Sequence, residues 1–146
     1  MNTVTHSILL SCIIAFWAGF ASADDMTIDM LNKRDDGAKM VYSEDIARIN
    51  VGDTITWVPT SKGHNVQFIK GPDGWKLPKK SKNGKEVAIT FDTPGVYVYV
   101  CTPHATMGMI GLVTVAEDGE VPMNDVSKAK VRGKSKKKLK DLLGEL

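Results

Sequence analysis

The sequence predicts an all-β sandwich followed by a short helical extension at the C-terminus. From residue 26 to about residue 115, short apolar runs alternate with turn residues at the intervals typical of a sandwich. Beyond Pro122 the pattern changes to one helical face, formed by Leu139, Leu142, Leu143 and Leu146. With 146 residues, of which 42% are hydrophobic, the chain has the composition of one ordinary globular domain.

Residues 1–23 are predicted to be a secretory signal peptide. Residues 8–20 form an uncharged apolar run, and the small residues Ala21, Ser22 and Ala23 supply a cleavage pattern. A membrane anchor needs about 20 apolar residues, more than this run contains. We therefore expect cleavage after Ala23 and an exported chain that begins at Asp24.

The predicted strands follow one another as short runs separated by turns. The last long run, 95–101, alternates Tyr97 and Tyr99 with valines, so it presents apolar groups on both faces and is expected to be central. The runs are 26–31, 47–51, 54–57, 64–69, 86–91, 95–101 and 109–115.

The C-terminal extension, residues 122–146, is predicted to be a helical hairpin whose leucine stripe packs on the sandwich. Ser135 is the expected N-cap of its last helix. The stretch 128–140 is rich in basic residues and contains no acidic residue, which favours a solvated face. A docking patch for an acidic or membrane surface is the alternative.

Charge and residue counts narrow the function. A net charge of +2 is too small for a dedicated nucleic-acid binder. Removal of residues 1–23 would leave one cysteine, Cys101, and two histidines, His64 and His104. A lone thiol in an exported protein must be buried or ligated to escape oxidation.

The chemistry concentrates in residues 101–109, where Cys101, His104, Met107 and Met109 lie between two predicted strands. His64 begins another run, so the strand ends can bring two imidazoles, one thiolate and a weak axial sulfur together. That set binds copper for electron transfer. Zinc does not favour thioether ligands, and iron–sulfur clusters and c-type haem need more cysteines. Each of these residues taken alone could be an ordinary core residue. Taken together, they assign every histidine and cysteine of the mature chain to one site.

At these residues the sequence resembles the type 1 copper proteins called cupredoxins, in particular their pseudoazurin branch. The resemblance is carried by Gly63-His64-Asn65-Val66, by Cys101-Thr-Pro-His104 and by Met109, and it includes the helical extension. It implies a Greek-key sandwich over residues 24–121, with residues 122–146 packed on it. Met107 would give the shorter spacing of amicyanins, but the extension favours Met109.

The resemblance also implies roles for these residues. His64, Cys101, His104 and Met109 are the expected ligands of one copper ion, with His64 recessed and His104 at the surface as the electron port. Asn65 is expected to tie the two ligand loops together. Pro103 has no N–H to donate to the Cys101 sulfur, which we expect to raise the reduction potential.

The expected function is that of an electron carrier and not of an enzyme, since no histidine remains for a second, catalytic copper. An apolar loop, residues 105–110, would surround His104 and dock redox proteins transiently. Exposed lysines would steer acidic partners towards it, namely Lys33, Lys62, Lys76, Lys79 and Lys80.

For such a protein the resemblance implies a periplasmic monomer, with a nitrite reductase as acceptor and a cytochrome as donor. Nucleic acid is not an expected partner, nor is the membrane after signal removal. The alternatives are an amicyanin-like carrier with another redox partner and a copper-handling chaperone or store. A thiol enzyme using Cys101 and His104 is a weaker alternative because it leaves His64 and Met109 without a role.

Overall fold

The computed structural model describes residues 24–146; the predicted signal peptide, residues 1–23, lies outside the described residues. The described chain forms a series of β-strands, the last of which ends at Ala116, and an α-helix near the C-terminus. The strands are β1 (Asp25–Lys33), β2 (Lys39–Tyr42), β3 (Ile46–Asn50), β4 (Thr54–Val58), β5 (Gln67–Lys70), β6 (Val87–Thr90), β7 (Gly95–Val100) and β8 (Ile110–Ala116). A 3-10 helix, Thr102–Met107, follows β7, and α1 spans Ser135–Leu143.

Two mixed sheets form the sandwich. One has the strand order β2-β1-β4-β6 and the other β3-β8-β7-β5. Each sheet contains one parallel pair, β1 with β4 and β3 with β8, and its remaining pairs are antiparallel. The all-β sandwich with a short C-terminal helix, predicted from the alternating runs, is confirmed.

Strand β7 is the most deeply buried element, and every one of its residues is buried. Because side chains alternate across a strand, Tyr97 and Tyr99 face the interior between the sheets. Val96, Val98 and Val100 face the opposite side, where the C-terminal extension covers them. Cys101, two residues after Tyr99, faces the same side as the two tyrosines and is therefore part of the inner core.

Aromatic rings fill the inner core beside β7. The Trp57 ring lies edge-on to Tyr99, with centroids 5.2 Å apart, and edge-on to Phe68 at 5.6 Å. Gly111 of β8 pairs directly with Tyr99, and a Cβ there would lie 2.5 Å from the tyrosine ring. The tyrosine therefore occupies space that any side chain at Gly111 would need.

Two of the sequence-based expectations for the strands were wrong. Strand β2 was missed because its apolar residues are adjacent and do not alternate. His64 does not begin a strand, since β5 starts at Gln67. The segment before β5 instead bonds a neighbouring loop, where Gly84 N–H donates to His64 C=O at 2.9 Å and Ser81 N–H to Val66 C=O at 2.9 Å.

The C-terminal extension also differs from the prediction. It contains a single helix and not a hairpin, because residues before Ser135 form turns such as the one in which Ala129 N–H donates to Val126 C=O. Ser135 is the first helical residue and makes no capping hydrogen bond; its hydroxyl donates to Ala105 C=O instead. No helix in residues 24–146 combines the length and apolar content that a membrane crossing requires.

Three of the four leucines of the predicted stripe pack on the sandwich, with Leu143 partly buried, whereas Leu146 lies beyond the end of α1. Leu139 and Leu142 are buried against the valine side of β7, together with Val126. At the edge of this contact, Lys138 Nζ lies 2.6 Å from a carboxylate oxygen of Asp45, in the turn before β3. The extension thus covers an apolar sheet face that would otherwise contact water.

Replacement of Leu142 by alanine tests this packing. Leu142 is 4% exposed, so Leu142→Ala is expected to lower the free energy of unfolding by about 2–5 kcal/mol. Leu146 was predicted to lie on the same stripe, but it lies beyond the end of α1 and is 42% exposed. Leu146→Ala is therefore expected to change the free energy of unfolding by less than about 0.5 kcal/mol. Urea denaturation measures both, and equal losses in the two variants would contradict the assigned packing.

Candidate metal centre

Three side chains that the sequence singled out meet at one end of the sandwich. Cys101 Sγ lies 3.6 Å from His64 Nδ1 and 3.5 Å from His104 Nδ1, and the two Nδ1 atoms are 3.1 Å apart. These atoms were predicted to converge although His64 lies far from the other two in sequence. Within residues 24–146 they form the group of His, Cys, Asp or Glu side chains whose spacing suits a metal ion.

The 101–109 loop, which links β7 to β8, supplies two of these atoms. Its ends are joined by a hydrogen bond from Cys101 N–H to Met109 C=O at 3.0 Å. Inside it, His104 N–H donates to Cys101 C=O at 3.0 Å, which folds the imidazole back beside the thiol. Gly108, with φ of +104°, ends the 3-10 helix in a left-handed conformation that glycine adopts without strain.

Asn65 connects this loop to the segment that carries His64. Its carboxamide oxygen accepts a hydrogen bond from Thr102 N–H at 2.8 Å, one residue beyond Cys101. The Asn65 C=O accepts a second one from the hydroxyl of Tyr42, at 2.9 Å. The predicted tie between the two loops is therefore confirmed, and Tyr42 anchors it to β2.

The other nitrogen of His64 is held by Asn32, at the end of β1. His64 Nε2 lies 2.8 Å from the Asn32 carboxamide oxygen, which can only accept, so Nε2 carries the proton. In the neutral ring Nδ1 is then left with a free lone pair facing Cys101. The sequence analysis missed Asn32. The feature that could have identified it is its position on the same face of β1 as the buried residues Ile28 and Met30.

Burial differs among the four predicted ligands. His64, Cys101 and Met109 are 0% exposed, whereas His104 is partly exposed. Met109 packs in the inner core with Cys101, while Met107 is 50% exposed. His64 is thus recessed and His104 reaches the surface, as predicted.

Burial also shifts the titration of these groups. It raises the pKa of the Cys101 thiol, and the backbone N–H groups of Asn65 and His104 act in the opposite direction. It lowers the pKa of His64, an effect that the neighbouring His104 reinforces. A metal ion held by these atoms at neutral pH would therefore displace a proton from Cys101, whereas His64 is already neutral.

The donor set fits copper. A point equidistant from the three atoms lies about 2.0 Å from each, close to ordinary metal–nitrogen distances in proteins. One thiolate and two imidazoles with a thioether nearby suit both oxidation states of copper.

Comparison with known proteins decides the family. Residues 28–116 match the copper binding proteins of the plastocyanin/azurin family. The chain belongs to this family, the cupredoxins.

Similar cupredoxins include several pseudoazurins. A putative pseudoazurin of Rhizobium leguminosarum bv. viciae is 42% identical over 132 residues, which cover 88% of this chain and 84% of the relative. The pseudoazurin of Paracoccus pantotrophus is 42% identical over 125 residues, covering 83% and 81%. The solved structure of a Sinorhizobium pseudoazurin gives a TM-score of 0.75 at 39% identity, over 83% of this chain and 94% of that one.

The protein is therefore a pseudoazurin-like cupredoxin with a type 1 copper site, an electron carrier whose partners are redox proteins. The agreement with the Sinorhizobium pseudoazurin structure covers more than four-fifths of the chain. The similarity therefore extends well beyond the copper motif.

The contact between Asn32 and His64 gives a prediction for metal affinity. Asn32→Leu removes the acceptor that orients the imidazole and is expected to weaken copper binding by about 10- to 100-fold. Asn32→Asp retains an oxygen acceptor and is the matched control, with a much smaller loss. Competition with a chromogenic Cu(I) chelator measures both, and equal affinity of Asn32→Leu and the wild type would contradict the role of Asn32.

The lowered pKa of His64 gives a prediction for the metal-free protein. Below about pH 6.5 the unfolded chain takes up a proton at this residue that the folded chain resists. Above that pH, His64 is neutral in both the folded and the unfolded chain, and its burial costs no stability. The free energy of unfolding falls as the pH drops from about 6.5 through the lowered pKa. Urea denaturation at pH 7.5 and 5.5 measures this fall in the free energy of unfolding. We expect a smaller fall in His64→Gln than in the wild type, and an identical fall in both would contradict the prediction.

Proposed function

We propose that the protein carries single electrons on one copper ion held by His64 Nδ1, Cys101 Sγ, His104 Nδ1 and the Met109 thioether. The convergence of the first three atoms within 3.6 Å of one another is the observation that carries the proposal. The burial of Met109 beside Cys101 supports it as the axial ligand, and the exposure of Met107 opposes the shorter amicyanin spacing.

Copper, when bound, supplies a one-electron couple between Cu(II) and Cu(I). The chain keeps its donors in one arrangement, because the loops that carry them are hydrogen-bonded to each other and to β1 and β2. Rigid ligands limit the rearrangement that accompanies a change of charge, which favours rapid exchange of an electron.

His104 is proposed as the point where the electron enters and leaves. It is the partly exposed member of the set, while Cys101 and His64 are 0% exposed. Ala105 and the half-exposed Met107 lie beside it, so a partner can approach over apolar surface with little desolvation of charge. The lysines expected to steer acidic partners, Lys33, Lys62, Lys76, Lys79 and Lys80, are all exposed.

The pseudoazurin-like character supports a more specific role. We propose that residues 1–23 are removed on export and that the protein works in the periplasm as a monomer. Residues 24–121 would form the copper-binding unit and residues 122–146 its packed extension. The proposed acceptor is a nitrite reductase and the proposed donor a cytochrome. An electron carrier, and not an enzyme, is favoured because both histidines of residues 24–146 are used at one site.

A visible spectrum of the copper-loaded protein is the decisive test. An intense thiolate-to-copper absorption that bleaches on reduction and returns on reoxidation is expected. Colourless protein that binds only Cu(I) and releases it to a chelator would replace the proposal with copper handling.

Two methionine variants identify the axial ligand. Met109→Leu is expected to change the ratio of the visible bands and the reduction potential, because it removes a sulfur at the core side of the site. Met107→Leu preserves apolar surface and is expected to leave both unchanged. The reverse pattern would assign Met107 and the amicyanin-like spacing.

A further inference from the structure

The C-terminal extension touches the 101–109 loop at residues 133–135. Lys134 N–H donates to Thr106 C=O at 2.9 Å, and the Ser135 hydroxyl donates to Ala105 C=O. These two carbonyls belong to the residues that directly follow His104. Two consecutive peptide groups of the loop are therefore held by a segment that is distant in sequence.

The contact is closely packed. Ser135 is 0% exposed, although serine is usually a surface residue. Gly133 has φ of +59°, and a Cβ there would lie only 2.9 Å from Thr106 Cα. Glycine is thus needed at this position both for its backbone conformation and for the close approach of residues 133 and 106.

The other hydrogen bonds that hold the loop lie mainly on the side of Cys101. Cys101 N–H bonds Met109 C=O at the closed end, and Thr102 N–H bonds Asn65. Beyond His104, the bonds within the loop are long: Gly108 N–H to Ala105 C=O and Met109 N–H to His104 C=O, each 3.2 Å. Residues 133–135 supply the restraint from outside the loop on this half.

We propose that residues 133–135 form a positioning latch for His104. By holding the carbonyls of Ala105 and Thr106, the latch fixes the imidazole at its distance from Cys101 Sγ and His64 Nδ1. Ser135 acts through the loop backbone and is a positioning residue, not a ligand. The inference rests on the ligand set proposed above and gives the extension a role at the copper site beyond covering the sheet.

Hydrogen exchange in the metal-free protein reads the latch directly. Ser135→Ala is expected to speed exchange of the Gly108 amide by about 2- to 10-fold, the range for loss of one hydrogen bond. Ser135→Thr keeps the hydroxyl and is expected to restore protection. This readout needs no copper, so a failure of the ligand assignment does not disguise a failure of the latch.

The copper-loaded protein shows whether the latch acts on His104. In Ser135→Ala we expect a changed ratio of the visible bands and a several-fold faster loss of copper to a chelator, both reversed in Ser135→Thr. Lys138→Met is the matched control, since it removes a contact of the same helix, with Asp45, that does not touch the loop. It is expected to lower thermal stability while leaving Gly108 exchange and the spectrum unchanged.

Three results would overturn the proposal. The first is wild-type exchange at Gly108 in Ser135→Ala. The second is an equal effect of Lys138→Met on exchange and spectrum, which would show that general docking of the helix is responsible. The third is faster exchange without any change in spectrum or copper release, because the contact would then support the fold alone.

Discussion

The burial of β7 on both faces is the constraint on which the rest of the structure depends. Its tyrosines complete the core between the sheets, and its valines require a second cover that the sandwich itself does not provide. The leucine stripe of the extension supplies that cover. Since side chains alternate strictly along a strand, the same requirement directs Cys101 inward, towards the segment that carries His64. Packing of one strand thus positions the thiol before any metal contributes.

The sequence predicted the features that periodicity and side-chain chemistry encode. Alternation identified β7 as central, and the spacing of Cys101, His104 and Met109 indicated a copper site. Strand β2 escaped because adjacent apolar residues carry no period-two signal, although its Tyr42 holds the Asn65 loop.

Contacts between segments that are distant in sequence could not be predicted from the sequence. His64 lies outside a strand because a neighbouring loop satisfies its backbone. Asn32 and Ser135 act through single hydrogen bonds to distant residues, which no local pattern reports. The position of Ser135 before an apolar stripe indicates an N-cap. In the structure, however, its hydroxyl bonds the distant Ala105 C=O and makes no capping hydrogen bond.

The burial of Cys101 has a consequence for the protein before it acquires its metal. Residues 24–146 contain no other cysteine, so internal disulfide formation is closed to the described chain. Because the thiol is 0% exposed and its pKa is raised, little reactive thiolate is available to oxidants or to a second molecule. The folded apoprotein therefore resists oxidation and cross-linking at Cys101 until a metal ion replaces the proton on sulfur.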